Sequence, residues 1–183
     1  MTTCLSRSAF ASLFLVTALL AACAGPSPSA QRTSVESAAD ATISVEFINA
    51  SEFAEMRSHR LQRDSDSKAW MESLRKHLEQ QAPQYLPPKT HLLVQLTDIK
   101  LAGEYEPWRR AGLYDVRIVR DIYPPRIDLN YQLSNNQGQT FKDGNAKLRD
   151  SAFLMRAHGY HDDPLRYEKT LLDDWLRREF KTE

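Results

Sequence analysis

The densest group of potential metal ligands in the sequence is HGYHDD, residues 158 to 163. Zinc accepts imidazole nitrogens and carboxylate oxygens, so a metal-dependent hydrolase using His158, His161 and Asp162 is one hypothesis. Gly159, however, breaks the helical spacing that would hold both imidazoles on one face. The competing interpretation is a polar connection in which Asp163 caps a helix. We favour this second interpretation and expect neither a bound metal nor a cofactor.

Other catalytic signatures are absent from the sequence. It contains no Gly-x-Ser-x-Gly elbow, His-Glu-x-x-His pair, phosphate loop or dinucleotide fingerprint. Asp173 and Asp174 are neighbours on a predicted helix, so their side chains diverge by about 100° and suit paired acid–base chemistry poorly. We interpret them as part of a solvated face. The sequence therefore predicts a protein that is not an enzyme.

A second set of notable side chains is aromatic and basic, which are the types enriched at binding hot spots. We call this set the candidate binding surface; it comprises Trp108, Arg109, Arg110, Arg117, Tyr123 and Arg126. Charged residues in the same region are predicted to share the sheet face opposite the core: Asp115, Arg117, Asp121, Arg126 and Asp128. This charged face has two interpretations, a solvated ladder of salt bridges or a recognition face.

Alternating apolar residues on both sides of Pro124-Pro125 indicate the strands that must position this surface. They are Val116, Ile118 and Ile122 before the prolines, and Ile127, Leu129, Tyr131 and Leu133 after them. Side chains of a strand point alternately to opposite faces, so each run predicts one buried and one wet face. The prolines either end a hairpin between two antiparallel strands or kink one long strand, and we favour the hairpin.

Further elements follow from the same periodicities. A strand is predicted at Ile43 to Phe47, a helix from about Asp64 to before Pro83, and a strand with a β-bulge near Thr97-Asp98. A turn at Asn135 to Gly138 leads to a strand carrying Phe141, Ala146 and Leu148, with a phase change at Asp143-Gly144. This order indicates an α+β domain, with a mostly antiparallel sheet of four to five strands and helices packed on one face.

Two helices are predicted to close the chain. The first has Asp150 as its N-cap and ends at Gly159, and its apolar surface is supplied by Phe153, Leu154 and Met155. The second begins at Asp163-Pro164 and presents one apolar stripe through about Phe180. The stripe consists of Leu165, Leu171, Leu172, Trp175, Leu176 and Phe180.

The N-terminus has the properties of a targeting segment. Its apolar run, Ala9 to Ala22, is about 14 residues long, which is short of the roughly 20 that a membrane-spanning helix needs. The run ends in Leu20-Ala21-Ala22-Cys23, which resembles the bacterial lipobox and implies cleavage before Cys23 and acylation of that residue. We expect a signal peptide at 1–22, a lipidated Cys23 with a flexible tether at 23–41, and a single domain at 42–183. Ala24, rather than Asp, implies anchoring in the outer membrane facing the periplasm.

The number of cysteines and the balance of charges exclude several kinds of site and partner. The chain has two cysteines; Cys4 leaves with the signal peptide and Cys23 carries lipid, so the mature domain has no thiol. A disulfide framework, a thiolate nucleophile and a cysteine-ligated metal are therefore excluded. Lys and Arg number 24, the same as Asp and Glu, and this absence of a basic surplus argues against a nucleic-acid partner.

Several runs of the sequence resemble the bacterial domain-of-unknown-function family numbered 3016. They are WRR at 108–110, DVRIVRDIYPPRIDL at 115–129, LRD at 148–150 and DPLRYEKTLLDDWLRREF at 163–180. The resemblance extends over about Ile43 to Phe180. It implies an exported or lipid-anchored envelope protein, but it brings no established activity, ligand or catalytic residue.

Three functional hypotheses follow. The first, which we favour, is a non-catalytic lipoprotein that is held at the membrane through Cys23 and binds an envelope protein or glycan through the candidate binding surface. The second is a metal-dependent hydrolase using residues 158–163. The third is a purely structural envelope protein without a binding site.

Overall fold

The computed structural model describes residues 41–58, 64–106, 116–156 and 159–181, with the backbone alone at 64–67. In these residues the strands and helices follow one another in this order: β1 (Thr42–Phe47), α1 (Ala54–Ser58), α2 (Asp64–Gln81), β2 (Thr90–Lys100), β3 (Glu104–Tyr105), β4 (Arg117–Ile118), β5 (Arg126–Asn135), β6 (Thr140–Arg149) and α3 (Arg166–Phe180). Within the described ranges, no helix is both long enough and apolar enough to cross a membrane.

Four of the strands form one sheet in the order β1-β2-β5-β6. The β1–β2 pair is parallel, because helices α1 and α2 carry the chain from one end of the sheet back to the other. The β2–β5 and β5–β6 pairs are antiparallel. Strands β3 and β4 form a separate two-stranded ribbon. The predicted α+β class, with a mostly antiparallel sheet, is confirmed.

One hydrophobic core lies between the sheet and the two long helices. Alternate residues of β2 and β5 point into it, as the period-two pattern predicts, and are almost completely buried: Leu92, Val94, Leu96, Ile127, Leu129, Tyr131 and Leu133. Helix α2 contributes Leu74 and Leu78, and the apolar stripe predicted for α3 packs against the same cluster. Burial of each large apolar side chain stabilises the fold by about 1.5–3 kcal/mol. The helices therefore cover one face of the sheet.

The β-bulge predicted near Thr97-Asp98 is confirmed. The pairing of β2 with β5 shifts between Leu96 and Asp98. The extra residue changes the phase of the strand, and this shift allows Ile99 to point into the core like Leu96. The Asp98 carboxylate accepts a hydrogen bond from the Ala54 amide at 2.6 Å, so the bulge also fixes the start of α1.

The chain before the two prolines differs from both predictions made for it. Strand β4 is only two residues long and pairs with β3, so there is neither a hairpin with β5 nor one kinked strand. The Tyr123 amide donates to the Arg120 carbonyl and the Tyr123 carbonyl accepts from the Gly103 amide at 3.0 Å, which turns the chain towards the end of β2. Pro124 and Pro125 have no amide hydrogen for a sheet ladder, so β5 starts only at Arg126.

The face assignment of this same stretch is also wrong. Val116 and Ile122, predicted to point into the core, are 48% and 58% exposed, and Ile118 is half-buried. Of the described charged residues predicted for the opposite face, Arg117 is held inside by Glu55, whereas Asp121 is exposed.

Strand β6 contains no phase change at Asp143-Gly144, contrary to the prediction. The irregularity lies between Leu133 and Ser134 of β5, and it leaves Phe141 as an extra residue that is 55% exposed. Gly144 faces the core, where a Cβ would lie 2.9 Å from the Tyr131 hydroxyl oxygen. The glycine thus makes room for a core aromatic ring and does not mark a bulge.

The helix predicted from Asp150 to Gly159 is reduced to a short 3-10 turn, Phe153–Met155. The Asp150 carboxylate accepts from the Ala152 amide at 3.0 Å, and Arg156 is already extended, so the turn stops there. Phe153 alone is buried, packing edge-on against another ring, while Leu154 and Met155 are 44% and 90% exposed. The prediction that all three form apolar packing surface is therefore wrong.

The predicted turn at Asn135 to Gly138 is confirmed. Gly138 takes a φ of +79° in the turn between β5 and β6, and the Asn135 carboxamide oxygen accepts from two amides of that turn. The last helix starts at Arg166 and not at the predicted Asp163-Pro164. The Asp163 carboxylate accepts from the Leu165 amide at 2.7 Å, but α3 has no side-chain cap.

Candidate functional site

The structure describes three residues of the candidate binding surface, Arg117, Tyr123 and Arg126. Cys23, Trp108, Arg109, Arg110, Asp115 and His158 lie outside the described residues. Arg126 is exposed at the start of β5, whereas Arg117 and Tyr123 are directed at buried carboxylates. Asp121 lies in a turn, and only Arg126 and Asp128 belong to the four-stranded sheet. The prediction that these charged side chains share one face of the sheet is therefore wrong for Arg117 and Asp121.

Arg117 anchors the short ribbon to the rest of the fold. Its guanidinium group donates to a carboxylate oxygen of Glu55, which is 3% exposed, and to the carbonyl oxygens of Ala102 and Gly103 at 3.3 and 3.2 Å. The same group lies 4.9 Å from the centre of the Tyr105 ring. Burial opposes its charge, but the Glu55 carboxylate outweighs this effect and raises the pKa of Arg117.

Glu55 collects further donors from β2. Its second oxygen accepts from the Leu101 amide at 3.1 Å and lies 3.3 Å from the Lys100 ammonium group, which in turn pairs with Glu104 at 2.9 Å. We call Glu55, Lys100, Glu104 and Arg117 the buried ion cluster. The cluster joins α1, β2, β3 and β4, so its first role is to position the ribbon.

A second carboxylate holds the turn before the prolines. Glu106, which is 2% exposed, accepts hydrogen bonds from the Tyr123 hydroxyl at 3.0 Å and from Arg120 at 3.1 Å. This hydrogen bond raises the pKa of Tyr123 and keeps its hydroxyl protonated as a donor. Tyr123 therefore fixes the turn with its polar end.

A third carboxylate, Glu168, reaches the same region from α3. It is 1% exposed, and its Oε1 accepts from the Ala102 amide at 2.6 Å. Burial raises the pKa of Glu168 to about 7. Sequence reasoning missed this residue, although a signal was present, since Glu168 lies three residues after Leu165 and three before Leu171 on the apolar stripe.

In the segment that contains Arg117 and Arg120, the two arginine side chains are directed at buried carboxylates, and apolar side chains lie on the outside. Val116, Val119 and Ile122 are 48%, 38% and 58% exposed, and we call these three the exposed apolar stripe. Between them, Arg117 and Arg120 are directed at Glu55 and Glu106 (the reverse of the usual arrangement for a surface segment). This arrangement can bind an apolar partner surface.

The predicted metal segment lies in the connection before α3. Asp163 pairs with Lys169 and accepts from the Leu165 amide, but Leu165 is the N-cap residue and α3 has no side-chain cap, so the prediction that Asp163 caps the helix is wrong. His161 and Asp162 are exposed. Within the described ranges, which exclude His158, no group of three or more histidine, cysteine or acidic residues is arranged to hold a metal ion.

A buried histidine, His77, was missed by sequence reasoning. Its Nε2 lies 2.7 Å from the Asp173 carboxylate, which also accepts from the Tyr160 hydroxyl at 2.7 Å. Burial and the bond to Asp173 raise the pKa of Tyr160. His77 occurs three residues after Leu74, so helical spacing could have placed it on the buried face of α2. These three side chains join α2 to α3. Among the described partners of His77 there is no nucleophilic side chain that it could activate.

The prediction of a solvated face at Asp173 and Asp174 is wrong. Both side chains are only 16% exposed. Asp174 pairs with Arg156 at 2.5 Å and with Arg177 at 3.2 Å, while Asp173 binds His77. Their partners lie in different directions, as expected for neighbouring residues of a helix.

The comparisons with known proteins bear on the whole folded region. A family model described as a protein of unknown function (DUF3016) matches residues 41–178. No curated protein matches the chain, and no solved structure does. The matched stretch coincides with the elements from β1 to the end of α3 and makes up most of the sequence. The chain therefore belongs to the DUF3016 family, as the sequence resemblance predicted.

Proposed function

We propose that this protein is a non-catalytic binding module of the bacterial cell envelope, lipid-anchored at Cys23 on the periplasmic side of the outer membrane. The observation that carries the binding role is the exposed apolar stripe, on a segment whose two arginines pair with the buried carboxylates of Glu55 and Glu106. The lipobox-like Leu20 to Cys23 supports the anchor.

The stripe has the energetic properties of a contact surface. A single exposed apolar side chain is ordinary in soluble proteins, but three lie on this one short segment. Burying a Val or Ile against a partner contributes about 1.5–3 kcal/mol. The anchors Arg117 and Arg120 hold the backbone beforehand, so little conformational entropy is lost on binding.

The chemistry of the stripe favours a protein partner. Branched aliphatic side chains pack best into an apolar pocket, which another protein supplies and a hydrated glycan chain does not. Trp108, Arg109 and Arg110 precede the stripe in the sequence and Arg126 follows it, and these are residue types typical of hot spots. We therefore place the protein contact at the stripe, with these residues of the candidate binding surface beside it in the sequence.

Replacement of Ile122 by Asp tests the contact. We expect the yield of a specific cross-linked partner in intact cells, identified by mass spectrometry, to fall about tenfold or more, because a charge replaces a side chain buried on docking. The thermal unfolding temperature should stay within 1–2 °C of wild type, since a surface change costs only about 0.5 kcal/mol.

Met155→Asp is the matched control, because Met155 is also apolar and is 90% exposed in a different segment. It should leave the cross-link unchanged. Equal cross-link yields for wild type and both variants would rule out the stripe as the contact, and equal losses for both variants would attribute the effect to surface charge in general.

Replacement of Cys23 by Ser tests the anchor. We expect mass spectrometry of the wild-type chain to find an N-terminal peptide that begins at an acylated Cys23. In the variant, acylation should be lost and residues 1–22 should remain attached, because the acceptor thiol and the lipobox are both gone. A wild-type chain that begins elsewhere, or that carries no lipid, would contradict the anchoring proposal.

A further inference from the structure

The sheet has a second face, which α2 and α3 do not cover, and its side chains are arranged in registered rows. In one row the partners across all four strands are Glu46, Gln95, Asn130 and Asn145. In the adjacent row they are Ser44, Leu93, Gln132 and Asp143. All eight are exposed or half-buried. Carboxamides therefore lie side by side on neighbouring strands, about 5 Å apart.

These rows line a shallow groove of about 370 Å³ on the same face. Its outward-pointing lining residues are Leu93, Gln95, Asn130, Gln132, Asp143 and Asn145. The volume is that of a small-ligand site. The groove is bounded by rigid strands and not by loops, so its polar groups are held in fixed positions.

The hydrogen-bonding groups of the groove are only partly used within the protein. Gln95 donates to Glu46 at 2.9 Å and Gln132 donates to Thr140 at 2.8 Å, and these bonds orient the two carboxamides. The carboxamides of Asn130 and Asn145 make no hydrogen bond with any residue that the structure describes. Each carboxamide offers two donors and one acceptor to a ligand.

The charge of the lining selects the class of ligand. Asp143 is the one ionised group among these lining residues, and none of them is a cation. A phosphate or carboxylate ligand would meet the Asp143 carboxylate and no cation among these lining residues, unlike in the arginine and lysine sites that bind nucleotides and acidic polymers. Carboxamides and one carboxylate are instead complementary to hydroxyl and acetamido groups, which both donate and accept.

Apolar contacts are available for a ring of the ligand. Phe141 is 55% exposed and is the extra residue of the β5–β6 irregularity; it lies outside the groove lining, two residues before Asp143 and about 7 Å away along the strand. Leu93 is half-buried within the groove. A sugar ring presents C–H groups on one face and hydroxyls at its edge, and an exposed aromatic ring beside polar groups matches both.

From this geometry we propose that the uncovered sheet face binds an uncharged stretch of a glycan chain, with Asn130 and Asn145 bonding sugar hydroxyl or acetamido groups and Phe141 stacking on a ring. The proposal does not depend on the exposed apolar stripe, which belongs to another segment and takes a different class of partner.

Titration of the full chain in detergent with the tetrasaccharide of N-acetylglucosamine, and separately with a glucose tetrasaccharide, tests this proposal by calorimetry. We expect saturable binding of at least one of them. The double variant Asn130→Ala/Asn145→Ala should bind about tenfold or more weakly, because two hydrogen bonds are lost, and Phe141→Ala several-fold more weakly.

Lys147→Ala is the matched control, since Lys147 lies on the same strand and face but outside the groove, and it should bind like wild type. Ile122→Asp should also bind the sugar normally, so failure of the protein contact and failure of the glycan site can be told apart. Absence of binding to both sugars, or equal affinities for wild type and the groove variants, would overturn the proposal.

Discussion

Arg117→Ala is expected to lower the free energy of unfolding by about 3 kcal/mol, because it leaves a buried charge without its main partner. Glu55 is 3% exposed, and among the described residues the Leu101 amide and the more distant Lys100 ammonium group would still contact it. The variant also leaves two carbonyl oxygens without the guanidinium that now donates to them. Urea unfolding of the full chain, followed by tryptophan fluorescence, measures the effect.

Arg126→Ala is the matched control, because Arg126 is an exposed arginine in the same part of the sequence. Its effect should stay within about 0.5 kcal/mol. The double variant Glu55→Gln/Arg117→Ala should recover part of the lost stability, since it removes the buried charge that has lost its Arg117 partner. Equal unfolding midpoints for Arg117→Ala and Arg126→Ala would show that Arg117 does not anchor the ribbon and would restore it to the surface role that the sequence suggested.

Sequence reasoning identified the core because the core follows local periods. In β5 the alternation from Ile127 to Leu133 predicted the buried face, and the one-residue slip in β2 predicted the bulge at Asp98. The same holds for α3, where the apolar stripe from Leu165 to Phe180 meets the sheet. Each of these signals is contained within a few neighbouring residues.

The region before Pro124 was assigned wrongly because its partners are distant in the sequence. Alternation at Val116, Arg117 and Ile118 is compatible with either face being buried, and we assumed that the charged face meets water. Glu55, 62 residues earlier, reverses the choice by burying a carboxylate that binds Arg117. No local sequence pattern indicates a pair of residues this far apart, so the inward direction of Arg117 can be seen only in the structure.

The candidate site was also predicted only in part, because the partners of its residues are distant in the sequence. The sequence singled out Tyr123 and Arg117 as unusual, which they are, but it could not show that both turn inward. It also could not predict the carboxamide rows. The carboxamides of Gln95, Asn130 and Asn145 lie side by side because β2 pairs with β5, which is distant from it in the sequence and is not joined to it by a short turn.

Glu168 should make the stability of the protein fall as the pH rises through the weakly acidic range. Its ordinary pKa of 4.5 applies to the unfolded chain, and burial raises the folded-state value to about 7. Between these two values the folded state binds more protons than the unfolded state, so stability is full below pH 4.5 and is lost as the pH approaches and passes 7. The nearby Arg117 opposes this shift and Glu55 adds to it.

Glu168→Gln removes the titrating group while its side-chain oxygen can still accept from the Ala102 amide. At pH 8 we expect the variant to be more stable than wild type, by on the order of 3 kcal/mol, because each unit of pKa shift corresponds to about 1.4 kcal/mol. At pH 4.5 the two proteins should unfold at nearly the same urea concentration. Glu46→Gln, a change at an exposed carboxylate, should show no such divergence between the two pH values. If the stability difference between Glu168→Gln and wild type is the same at pH 4.5 and pH 8, Glu168 keeps its ordinary pKa in the folded protein. The positive charge of Arg117 would then have to stabilise the buried Glu168 carboxylate between α3 and the end of β2.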